Sequence, residues 1–157
     1  MKTRHILGWI LLMVCSLSMF GAQKIDNENL RYRVLFKWGL INKTAGYANI
    51  RMLPGGGEMC TAELTAWSEP WADKIFKVRD TLVSTMYRDG FIPFRYEKRA
   101  HEGKDRKFDI VEFSRKGNTY TGKCTRKVWK KGELTRDETR VLDAEGMTVD
   151  MMTSFYY

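Results

Sequence analysis

Residues 30–39, LRYRVLFKWG, alternate apolar and basic side chains with a period of two. Leu30, Tyr32, Val34, Phe36 and Trp38 fall on one side, and Arg31, Arg33 and Lys37 on the other. Successive side chains of an extended strand point to opposite faces, so this pattern predicts a strand with one face turned to a core. The same grammar runs through the chain. AGYANIRML (45–53) is followed by the turn PGGGE and then by MCTAELTAW, which places Cys60, Ala62, Leu64 and Ala66 on one face. Three runs so close together, separated by turn residues, predict a meander.

SEPWADKIFK (68–77) breaks the alternation. Ser68 can cap a helix and Pro70 suits its first turn, so a short helix carrying Trp71, Ile75 and Phe76 is expected near 68–77. VRDTLVSTMY, FIPFRYEKRA, RKFDIVEFSR and TYTGKCTRKVWK read as further strands joined by turns. Pro93 lacks a ladder donor and is expected at an edge, a bulge or a strand start. LTRDETRVLD is less regular and reads as a final short strand. From Thr148, the run TVDMMTSFYY sets Val149, Met152 and Phe155 three apart, an apolar helical stripe with Thr148 as its cap. The expected fold is mainly β: one curved antiparallel sheet of seven or so strands, a half-barrel or barrel-like meander, with a short helix and a C-terminal helical turn.

The chain begins with Lys2 and Arg4, an apolar stretch from Ile6 to Phe20, and the small residues Gly21 and Ala22. That is the pattern of a secretory signal peptide over residues 1–22, and the stretch is shorter than the roughly 20 residues a membrane span needs. A periplasmic or otherwise extracytoplasmic location follows as an expectation. The alternative is lipidation at Cys15, in a segment loosely like a lipoprotein box although Val14 is large for the residue before the cysteine. Residues 23–157 are one domain's worth of chain. Within it, Cys60 and Cys124 form an even count. One disulfide and two separate buried thiols are both open, since sequence does not give their separation.

The chain carries 27 Lys or Arg against 19 Asp or Glu. The excess lies between residues 95 and 140, with 15 basic against 8 acidic residues. Such a surface suits acidic partners, anionic lipid or polysaccharide among them, and the export signal argues against nucleic acid. Catalytic motifs are missing from the sequence. Beyond His5 the one histidine is His101, in a run that reads as a hairpin tip, and no triad, zinc-protease helix or nucleophile elbow surrounds it. Cys60, His101 and Cys124 lack metal-chelate spacing, so no metal and no cofactor is expected. What remains is aromatic content. Trp38, Trp67, Trp71, Phe76 and Tyr96 are the candidates for lining an apolar cleft.

The order of several segments resembles domain-of-unknown-function family 3108, a bacterial family of exported proteins. They are YRVLFKWGLINKTAGYANI, with Tyr32, Trp38, Gly39, Ala45 and Gly46; IFKVRDTLVS; GFIPFRYEKRAHEG, with Pro93 and the Glu102-Gly103 turn; and DMMTSFYY, with Asp150, Ser154, Tyr156 and Tyr157. The resemblance implies an exported β-rich protein and supplies no catalytic residues. It also implies a chain lacking a C-terminal portion, because family members continue past the tyrosine pair. The functional expectation is a non-enzymatic envelope protein that binds an apolar or amphipathic molecule, such as lipid, lipoprotein or glycan, with association at a membrane surface. The alternative is an interaction module whose apolar face is covered by a partner or by a missing C-terminal half.

Overall fold

The computed structural model describes residues 27–156, except for the side chain of Trp38. The leader, Cys15 and Tyr157 lie outside the described residues. Eight strands follow one another: β1 (Asn29–Trp38), β2 (Ile41–Pro54), β3 (Met59–Ser68), β4 (Val78–Tyr87), β5 (Ile92–Glu102), β6 (Asp105–Lys116), β7 (Thr119–Lys130) and β8 (Glu133–Glu145). They form one antiparallel sheet in sequence order, not closed into a barrel. The expected meander is therefore observed, with eight strands rather than about seven. The region read as a short, irregular final strand is the 13-residue β8. Its alternation is obscured because almost all of its residues are exposed, on both faces.

Pairing fixes which side chains share a face. One cross-sheet row runs Met52, Ala62, Ser84, Tyr96, Val111, Cys124 and Arg140. It defines what we call the front face. The core lies there, where Ile50, Met52, Cys60, Ala62, Leu82, Met86, Tyr96 and Met152 are buried together. Three bulges reset the register without flipping this face. One skips Ala45 opposite β1, one skips Phe94 in β5, next to Pro93, and one skips Thr135 in β8. A bulge adds one residue to one strand and locally bends it, which is how Pro93 is accommodated inside the sheet.

Two short segments cover the apolar half of the front face. The first is α1 (Pro70–Asp73), which opens on Pro70 after an extended Glu69. Ser68 does not cap it. Its hydroxyl donates to Asp73, accepts the Val78 amide at 2.8 Å, and so ties the segment's two ends together. The second is the C-terminal segment, where the expected helical turn is observed as a 3-10 turn, Thr153–Phe155. Its start is set by Asp150 and not by Thr148. Asp150 Oδ1 accepts the amides of Met152 (2.8 Å) and Thr153 (3.0 Å), and Thr153 Oγ1 accepts the Asp150 amide at 2.8 Å. A carboxylate that satisfies the first free amides restarts the backbone at that point. Of the predicted stripe only Met152 is buried, while Val149 and Phe155 are 37% and 61% exposed.

Cys60 and Cys124 are both free thiols. Cys60 is on β3 and Cys124 on β7, so β4, β5 and β6 stand between them. Four inter-strand steps of about 4.8 Å each exceed the roughly 7 Å that a disulfide can bridge. Of the two open readings, the thiols are separate, and only Cys60 is buried while Cys124 is half-buried.

Candidate functional site

Gly46 on β2 and Ser68 on β3 are register partners, and their backbones run close together beside the Ala45 bulge. A Cβ on Gly46 would run into the Trp67 carbonyl oxygen, so only glycine fits here. The small side chains of Ala45, Gly46, Ala48 and Ala66 leave the front face shallow at this point. α1 crosses above it with Trp71, Ala72 and, just beyond, Ile75 and Phe76. The result is an apolar cleft of about 290 Å³ between helix and sheet.

Trp71 forms the roof. Its indole N–H donates to the Thr44 carbonyl at 2.7 Å, and its ring meets Phe36 edge-on at 6.1 Å. Lys43 Nζ stands 5.1 Å from the centre of the same ring, a cation–π contact at the rim. At the far end Phe76 rests against Gly103, whose φ of 62° places it in the left-handed region. The floor and roof are apolar. The polar groups nearby are engaged in holding α1: Arg79 pairs with Asp73 through bonds of 2.7 and 3.1 Å. The Arg79 hydrogen bond, followed by that of Ser68, holds the Asp73 carboxyl below the usual carboxylate range.

The structure brings together only part of the predicted lining set. Trp71 and Phe76 meet at the cleft. Trp67 borders it through the strand wall, but its ring faces the back, 5.8 Å from Tyr47, in a second cleft with Arg31 and Arg33. Tyr96 lies elsewhere, 7% exposed in the core, with its hydroxyl pushed up to about 12 by burial and then by the charges of Asp150 and Asp109. The Trp38 side chain lies outside the described part. Val34, Phe36 and Ala48 were not singled out as lining residues. The alternation that put Val34 and Phe36 on one face was the available signal; what it could not supply was the position of α1.

A contrasting site occupies the other half of the front face. Asp109, Arg126, Arg136, Glu138 and Arg140 line a polar depression with Tyr96 and Cys124. Arg126 pairs with Asp109 through bonds of 2.8 and 2.9 Å, and Arg140 and Arg136 flank Glu138 at 3.0 and 3.6 Å. These are exposed ion pairs that satisfy one another. Ser84 and Asp150 form a buried pair at 2.6 Å, in which the hydroxyl donates to a carboxylate already capping the terminal turn. His101 is on the back face of β5, away from both. Among the described residues no group of three or more His, Cys, Asp or Glu side chains is placed to hold a metal ion.

Comparison with curated proteins and with solved structures returned no match. The model of one family does match, over residues 31–157, which includes every strand but the first two residues of β1 and both segments that cover the front face. The chain therefore belongs to the family described as protein of unknown function DUF3108.

Proposed function

We propose that this protein is a non-enzymatic, extracytoplasmic envelope protein that holds an apolar or amphipathic molecule in the cleft beneath α1. One observation carries this reading. A cleft with apolar walls, an aromatic roof and a volume near the lower bound for small-molecule sites is formed by residues that the sheet leaves small on one side. The volume suits a segment of acyl chain or a single ring system. Lipid, the acyl part of a lipoprotein, and an amphipathic glycan are the candidate classes. Lys43 at the rim would favour an anionic head group. The non-enzymatic part rests on the lack of a catalytic motif and on His101 standing apart from Ser84 and Asp150. The envelope part rests on the leader-like residues 1–22, with lipidation at Cys15 as the alternative.

The test is to isolate the protein from envelope extract and identify what co-purifies by mass spectrometry. An amphiphile should accompany the wild-type chain and be lost from Trp71→Ala. Equal recovery from both, or nothing bound to either, would count against the cleft. The same spectrum reads the N-terminus. A chain starting near Gln23 fits export with cleavage, a diacylated Cys15 fits anchoring, and an intact Met1 rejects both.

A second reading has its own support. β1 is a ten-residue edge strand whose Leu30, Tyr32, Val34 and Leu35 are 38–53% exposed. Long apolar edges invite pairing with another chain. An interaction module would show this as concentration-dependent assembly that Val34→Lys abolishes.

A further inference from the structure

In an antiparallel meander the turns alternate between two ends. The β1–β2, α1, β5–β6 and β7–β8 connections therefore share one end of this sheet. That end differs in charge from the other. Its turn segments, 37–43, 69–77, 102–106 and 130–133, hold eight Lys or Arg and five Asp or Glu. Two of the five, Asp73 and Glu102, pair with Arg79 and Lys107, which lie outside those segments. Glu69, Asp105 and Glu133 remain. The turns at the opposite end, 54–59, 87–92, 115–119 and 145–149, hold three of each sign.

The basic end also carries the most protruding apolar side chain of the described residues. Leu40, at the tip of the β1–β2 hairpin, is fully exposed, Ile41 beside it is 49% exposed, and Lys37 and Lys43 flank the pair. Ile75, just past α1, is 76% exposed. Among the described residues no acidic side chain pairs with Lys37, Lys104 or Lys131, which stand exposed in three different turns. A fully solvated Leu beside a half-exposed Ile at a hairpin tip is unfavourable in water, and cations around them match a surface that is apolar beneath and negative at its rim. Exposed apolar residues such as Met151 and Phe155 occur near the other end too, without that excess of cations.

We infer that this end of the sheet docks on an anionic lipid bilayer, with Leu40, Ile41 and Ile75 entering the head-group layer and the turn lysines on the lipid phosphates. No helix among the described residues is long and apolar enough to cross a membrane, so these residues attach by turns. The inference does not rest on what occupies the cleft, although Ile75 belongs to both.

The test is co-sedimentation of the protein, isolated from its host, with phosphatidylcholine vesicles with and without phosphatidylglycerol. Binding should require phosphatidylglycerol and weaken as salt is raised. Neutralising three lysines (Lys37→Gln, Lys104→Gln, Lys131→Gln) should weaken it by about a hundredfold, near fivefold per charge. Leu40→Ser should weaken it by about tenfold, and because Leu40 touches nothing buried, the thermal midpoint should not move. Phe155→Ser at the opposite end should leave binding unchanged. Equal binding to neutral vesicles, none to either, or persistence in both basic-end variants overturns the proposal. So does a lysine-dependent interaction indifferent to Leu40→Ser, which would describe a site for a soluble polyanion.

Discussion

The two halves of the front face belong to one continuous sheet, yet they solve opposite problems. A single cross-strand row shows the change. It runs Ile50, Leu64, Leu82 on β2 to β4 and then Lys98, Asp109, Arg126, Glu138 on β5 to β8. The apolar half is covered, by α1 at one end and by the Asp150-capped segment at the other. On the second half the described residues place no cover, and its side chains alternate in sign, with Arg126 paired to Asp109 and both Arg136 and Arg140 to Glu138. A sheet face need not be uniform. Its chemistry follows what lies across it, because apolar area gains only when water is removed, whereas charges keep their solvation where it is not.

The sharpest way to break this comparison is to cut the same kind of hole in each half. Met86 is wholly buried in the apolar half, and Met86→Ala should cost about 3 kcal/mol in chemical denaturation. Leu142, 61% exposed on the other half, should cost less than about 0.5 kcal/mol as Leu142→Ala. Similar costs would mean that the second half is covered as well.

The next effect concerns the cover. Asp150→Ala removes the cap of the terminal turn and strands the Ser84 hydroxyl, which has no exposure. Lost capping and an unsatisfied buried donor together should cost about 2 kcal/mol. Ser84→Ala, which removes the donor with its need, should cost clearly less. A larger loss from Ser84→Ala would show that the turn is not held as described.

On the charged half, Arg126→Ala breaks a pair whose arginine is half exposed, and should cost no more than about 0.5 kcal/mol, less at high salt. A salt-insensitive loss above that would make the pair part of a desolvated interface.

The smallest effect is acid sensitivity at α1. Asp73 is held below its ordinary range by Arg79 and Ser68. Its stabilising contribution is thus fully present above the unfolded carboxylate range and is lost as pH falls through the lower folded value. Trp71 fluorescence, followed in acid, should report loosening of α1 below pH about 4 and not at neutral pH. Asp73→Asn should remove that step. A transition near pH 6 to 7 would assign it to another group.

The strands were legible because alternation is local. Residues 78–87 were read as one run and form β4, and Pro93 sits at a bulge near a strand start, as its missing donor requires. β8 was underrated because a strand exposed on both faces has no apolar stripe to announce it. The terminal helical turn is present, but the Asp150 side chain, which takes the first amides, and not Thr148 sets its start, and of the stripe Val149, Met152 and Phe155 only Met152 is buried. Among the site candidates, all chosen for aromatic content, Trp71 and Phe76 meet at the cleft because the segment at 68–77 crosses the sheet. Trp67 and Tyr96 could not be separated from them, because an aromatic residue looks alike in a sequence whether it faces a cleft, a core or the opposite side of a sheet.

By itself, then, the sequence determined the element order, the meander, the shared face of the runs that carry an apolar stripe, and the family. These depend on neighbours one to four residues apart. Only the tertiary structure decided which half of the front face is covered, that Cys60 and Cys124 are held apart by three strands, that Asp150 reaches across 66 residues to Ser84, and that a glycine, a bulge and Trp71 leave a cleft. Those outcomes depend on which strands lie side by side and on what crosses them, and distances of that kind are set by chain pairing and packing rather than by local spacing.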